Sequence, residues 1–164
     1  MDINSAIDSF LAEIKNYNNE YNKAVQGLTS ANRERIGKEF RNNYLKSHSI
    51  TTEKRGTLSV TYYLKDFSGT IKLTVRDVSK QYVYKGILKL KKEVRRIDTS
   101  YKYKGYNICV DIWTSDKVKA DQLKVGSVIE VSGNYEISYY NHHDDESINI
   151  DYKDSKPLFK IISI

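Results

Sequence analysis

From Ile3 to Leu28 the apolar positions fall at Ile3, Ile7, Phe10, Ile14, Tyr17, Tyr21, Ala24 and Leu28. Steps of four and three alternate, which is an a/d seam on a helix, and the other face is Asp, Asn, Glu and Lys. Ser5 with Asp8 has the spacing of a capping box, and Gly27 offers a stop. A second helix is predicted from Ser30 to about Ser47, with Ile36, Phe40, Tyr44 and Leu45 on one side. Either the two helices form an antiparallel hairpin, or Ile3, Ile7, Phe10, Ile14, Tyr17 and Tyr21 join another copy of the chain. A seam of this kind is a packing surface, not a cofactor site.

Residues 48–56 have no period and read as a linker. Beyond them the period is two. Thr57–Leu64 and Thr70–Arg76 flank Lys65-Asp-Phe-Ser-Gly69, which predicts a hairpin. Gln81–Ile97 reads as one long strand bent at Gly86, and Asp98–Gly105 as a polar loop. Tyr106–Thr114 alternates, with Asn107, Cys109, Asp111 and Trp113 on one side and Tyr106, Ile108, Val110 and Ile112 on the other. A short turn over 116–122 precedes a strand beginning near Val128. Tyr135–Tyr140 continues it, residues 141–147 form an acidic loop, and Ile148–Tyr152 and Leu158–Ile164 complete the sheet.

Leu123-Lys-Val-Gly-Ser-Val-Ile-Glu-Val-Ser-Gly-Asn-Tyr135 resembles the way OB-fold barrels enter a curved strand. Leu123 would plug the barrel end, Gly126 would permit the turn, and Gly133 would relieve crowding. Five strands counted from Gln81 extend the resemblance over roughly residues 80–164. A rival register takes Asp66-Phe-Ser-Gly69 as the turn between the second and third strands, so that 57–164 forms one larger barrel-like sheet. The expected class is α+β: a helical segment over 1–50, as hairpin or coiled coil, then an antiparallel OB-like β-barrel over 51–164.

Composition adds a charge asymmetry. The net charge is +6 over 164 residues, and residues 51–100 hold twelve Lys and Arg against five Asp and Glu, a local +7. Residues 101–150 carry five against eight, a local −3. A basic region of this kind is the footprint expected for a polyanion. Abundant Lys, Asn, Ile and Tyr with one Pro suggest an AT-rich genome, such as that of a low-GC bacterium, a phage or a mobile element. No apolar run approaches the roughly 20 residues that span a bilayer, and no secretory leader pattern opens the chain. The single Cys109 is read as a buried structural thiol. A cytoplasmic protein with no membrane partner is expected.

The OB resemblance implies a binding face around the second and third strands and the flanking loops. On this chain it comprises Tyr101, Lys102, Tyr103 and Lys104 in the first loop, and Lys89, Lys91, Lys92, Arg95 and Arg96 on the adjoining strand. Trp113 on the next strand and Lys153 and Lys156 in the other loop complete it. Rings alternating with cations suit single strands, because every base has a π-face and every phosphate a charge. His142-His143-Asp144-Asp145-Glu146 lacks metal-ligand spacing and reads as a solvated hairpin tip. With no metal, cofactor or catalytic signature, the expectation is a non-enzymatic single-stranded nucleic-acid-binding protein. DNA is placed ahead of RNA, sequence preference is low, and the setting is replication or recombination. The alternative is a structural or adaptor protein of a virion or secretion complex, oligomerised through its first helix.

Overall fold

A computed structural model of the chain describes residues 2–56, 60–142, 145–153 and 158–164. Helix α1 spans Ile3–Val25 and α2 spans Ser30–Ser47. The cap of α1 is Asp2, whose carboxylate accepts from the Asn4 N–H, rather than the Ser5–Asp8 pair. Gly27, at φ +74°, sits just past the C-cap of α1, in the region a glycine enters without a Cβ penalty. The two helices form the hairpin. Tyr44 Oη donates to the Glu13 carbonyl at 3.0 Å, and Gly37 lets α2 approach Tyr21, whose hydroxyl would lie 2.7 Å from an added Cβ.

Nine strands follow: β1 Thr51–Arg55, β2 Val60–Thr74, β3 Asp77–Lys85, β4 Leu90–Asp98, β5 Tyr101–Tyr103, β6 Tyr106–Thr114, β7 Val128–His142, β8 Asp145–Tyr152 and β9 Leu158–Ser163. A short helix, α3 Lys117–Asp121, precedes β7. The strands lie in the order β1-β2-β7-β8-β6-β4-β3, with β5 added to β6 and β9 to β7. All pairs are antiparallel except β6 with β8, which run parallel over Asn107–Val110 and Ser147–Ile150.

This corrects the barrel expectation. The sheet is mixed and open, with β1 and β3 at its two ends, so it is neither a closed barrel nor an OB-fold. Three local features account for the difference. First, Lys65–Gly69 is not a turn. β2 runs unbroken through it, in register with β7 from Tyr63↔Tyr139 to Thr74↔Val128. Gly69 lies directly opposite Gly133, at φ +149° and +138°, so these glycines shape two long strands and end neither. Second, Gln81–Ile97 is not one bent strand. Gly86 and Lys89, both at positive φ, close a hairpin between β3 and β4. Third, the linker contributes β1, which pairs with β2. The Leu123-x-x-Gly126 segment does lead into a strand, but that strand is central, with β2 along one side and β9 and β8 sharing the other.

One face of the sheet carries Ile71, Leu73, Ile97, Ile108, Val110, Ile112, Ile129, Val131, Tyr135, Ile137 and Ile148, all buried in one cluster with α1. Into it α1 presents Ile3, Ala6, Ile7, Phe10, Ile14 and Tyr17. Of the two arrangements open to this seam, packing within the chain is the one observed, and Tyr21 is half-buried against Tyr17 and Phe40. Lys65 reaches back to α1, with Nζ 2.8 Å from both carboxylate oxygens of Glu13. Cys109 lies exposed on the opposite face of β6, which corrects its assignment to the core. Among the described residues, no helix is long and apolar enough to cross a membrane.

Candidate nucleic-acid interface

Strands β3 and β4 run on past the end of β6, the strand that anchors them. The β3–β4 ladder runs from Asp77↔Asp98 to Lys85↔Leu90, whereas β4 meets β6 only from Arg95 to Asp98. The part of the hairpin between Lys80 and Glu93 therefore leaves the sheet as a two-stranded arm. Its distal residues, from Tyr84 to Lys92, are all exposed.

The root of the arm is locked by charge. The Arg95 guanidinium lies 2.8 Å from Glu93 and pairs with Asp121 of α3 through two nitrogens, at 2.8 and 3.3 Å. The hydrogen bonds from Arg95 hold the Glu93 and Asp121 carboxyls below their ordinary range. Lys80 and Lys117 close on the same Glu93 at 3.4 and 3.7 Å. Arg95, expected to contact a ligand, is an anchor.

Beyond this root no acidic residue occurs between Lys80 and Glu93, while Lys85, Lys89, Lys91 and Lys92 do. Strand alternation divides the arm into two faces. Tyr82, Tyr84 and Lys91 share one, and the Lys91 ammonium stands 4.0 Å from the Tyr82 ring centroid, within cation–π range. Tyr82 is 45% and Tyr84 65% exposed. Val83, Leu90 and Lys92 share the other face, in line with Arg96 and Trp113, which lie opposite each other between β4 and β6. Arg96 is paired to Asp111 at 3.2 Å, and Trp113 is 44% exposed.

The Tyr101–Lys104 loop, expected as part of the binding face, is occupied otherwise. Residues 95–114 form one long hairpin in constant register, ending at Tyr103↔Tyr106. Lys104 and Gly105 at φ +49° and +84° make the two-residue turn with both central residues left-handed, the geometry that matches strand twist. Tyr101 Oη donates to Asn4 Oδ1 at 2.8 Å and Tyr103 Oη to Asp8 at 2.7 Å, while Lys104 Nζ lies 3.2 Å from Asp8. Burial pushes the Tyr101 hydroxyl up to about 12. The tyrosines of this loop hold α1 to the sheet and do not offer free rings. Lys102 instead lines an open cavity of about 530 Å³ between the start of α1 and the end of β2, with Asp2, Asn4, Arg76 and Ser100.

Lys153 is paired with Asp66 at 2.7 Å and Glu136 at 3.2 Å. Lys156, His143 and Asp144 lie outside the described residues. Of the expected contact residues, the arm thus gathers Lys89, Lys91 and Lys92. It adds Tyr82, Tyr84 and Lys85, which a reading of Gln81–Ile97 as one strand passed over. The signal for them was present: Tyr82 and Tyr84 alternate ahead of Gly86, with apolar Ile87-Leu88 where a strand would be packed. Comparison of the chain with protein-family models, with curated proteins and with solved structures finds no match.

Proposed function

We propose that the protein binds single-stranded nucleic acid, DNA in preference to RNA and with little sequence preference, through the Tyr82–Tyr84–Lys91 face of the β3–β4 arm. The observation that carries this reading is the pair of exposed rings on one strand face with a cation over one of them, where the Glu93 that stands opposite Tyr82 is already paired with Arg95 and Lys80. Two residues along a strand place the rings about 6.8 Å apart. That is about twice the 3.4 Å base rise, a spacing that neighbouring bases of a stretched strand reach. Stacking on exposed rings suits every base, which accounts for low sequence preference. Cations spread along the ribbon follow a phosphate chain. The salt-bridged root keeps the arm in place before the ligand arrives, so less ordering opposes binding.

Two phosphates neutralised by Lys89 and Lys91 give a slope of log affinity against log salt of about −1.4. Anisotropy of labelled oligo-dT at 50 and 200 mM salt tests this. The expected fall is about sevenfold, and no binding at 50 mM salt would falsify the reading. The adaptor alternative relied on a free helical seam, and those side chains face this chain's own sheet.

A further inference from the structure

At the end of the arm, Gly86, Ile87, Leu88 and Lys89 form a loop in which the Lys89 N–H donates to the Gly86 carbonyl at 3.1 Å. Ile87 and Leu88 are its two corner residues. The left-handed positions of the loop are Gly86 and Lys89, so its conformation admits Ile and Leu at the corners, but turn corners ordinarily hold small or polar residues because they face water. Ile87 is 101% and Leu88 82% exposed, so neither covers any part of the protein's own core. Two large aliphatic side chains held in water without a compensating contact mark a place where function is to be sought.

We propose that Ile87 and Leu88 are an apolar wedge that packs on the last base pair of a duplex, so that the preferred ligand is a junction between single strand and duplex. This rests on the single-strand reading above and specifies its substrate. Aliphatic side chains, Leu and Ile among them, enter base steps from minor-groove binding proteins and unstack them at a cost in stacking energy. Burying the two side chains recovers energy of similar order. The flanking charges fit a nucleic acid: Lys85 and Lys89 border the tip, and Lys91 and Lys92 continue down the arm. A lipid headgroup layer would instead favour cations gathered in one plane about the tip. A strand leaving the duplex end at Ile87 and Leu88 passes next to Tyr84 and then Tyr82, in the order the ladder sets.

The test compares three labelled DNAs at one salt concentration: an oligo-dT, the same oligo-dT extended into a hairpin duplex, and the blunt duplex. A 2-aminopurine in the terminal pair of the tailed hairpin reports unstacking. The expected result is at least tenfold tighter binding to the tailed hairpin than to either part, with brightening of the 2-aminopurine. Ile87→Ser with Leu88→Ser should abolish both effects and leave oligo-dT affinity and melting temperature unchanged. Equal affinity for tail and junction, or a preference that survives the double substitution, overturns the wedge and leaves single-strand binding standing. Loss of all DNA binding in the wild type removes both proposals. Binding to vesicles of phosphatidylserine and phosphatidylcholine that is lost in the double variant, with no junction preference, assigns the tip to a lipid surface instead.

Discussion

Tyr103 donates its phenolic hydrogen to Asp8 at 2.7 Å, joining the end of the β5–β6 hairpin to the first helix. That bond, with the Lys104 ammonium beside it, holds the Asp8 carboxyl below its ordinary value of 3.8. A depressed folded-state value means that the ionised carboxylate favours the folded chain. Its contribution is complete above the ordinary value and disappears as pH falls through the lowered one. Tyr103→Phe should therefore lower the thermal midpoint at neutral pH by a modest amount, and the gap to the wild type should narrow as the pH drops below that ordinary value. A gap that is constant down to strongly acidic pH would show that the bond contributes nothing through the charge of Asp8.

The ring face of the arm gives a sharper test. Tyr82→Ala and Tyr84→Ala each remove an exposed ring, and stacking is worth roughly 1–3 kcal/mol per base. Oligo-dT affinity should drop by about five- to 150-fold for each. Urea midpoints should stay where they are, because neither ring is in the core. Exchanging Lys102 and Lys104 for Glu should matter less than exchanging Lys89 and Lys91, since Lys104 already faces Asp8. The reverse ranking in an anisotropy titration would return the interface to the Tyr101–Lys104 loop.

Much of the architecture could be read in the sequence wherever one face of an element is buried. The seam Ile3-Ile7-Phe10-Ile14-Tyr17 predicted α1, and Ile36, Phe40, Tyr44 and Leu45 predicted α2 over the observed Ser30–Ser47. The alternation of Tyr106–Thr114 gave both the bounds of β6 and its inner residues. Failures gathered at glycines, because the same residue ends a strand or lets one continue. Gly69 sits across from Gly133 inside a ladder, and Gly86 opens a true turn, and nothing local separates the two cases. Pairing partners were also hidden, since the parallel β6–β8 contact depends on strands that are distant along the chain. In the candidate interface, the lysines of β4 stood out by charge. What each cation is paired with, as Arg95 is with Asp121, follows only from the fold.

The facing pair Gly69 and Gly133 carries its own prediction. At φ +138°, Gly133 lies in a region that side chains rarely adopt, within a ladder whose register is continuous on both sides. Gly133→Ala should cost about 1–3 kcal/mol through backbone strain. Ser132→Ala, at the neighbouring exposed position, should cost far less. Urea titration of the two variants compares them directly, and an unchanged midpoint for Gly133→Ala would mean that the strands coil without needing the glycine.

The packing of α1 decides whether the sheet can stand alone. Ala6, Ile7 and Phe10 are completely buried, and Ile3, Ile14 and Tyr17 nearly so, all against strands that include the centre of the sheet. Burial of such side chains is worth about 1.5–3 kcal/mol each for the large ones. Their sum is on the order of 10 kcal/mol, comparable with the whole stability of an ordinary domain. A fragment beginning at Thr51 would leave the apolar face formed by Ile71, Ile129, Val131 and Ile137 open to water. It should lose cooperative melting and run as aggregate on gel filtration, while Ile7→Ala in the full chain should remain folded but weaker by about 2–5 kcal/mol. A monodisperse fragment with a sharp thermal transition would instead make the sheet an independent unit and α1 an appendage, freeing the Ile3–Tyr17 seam for another partner.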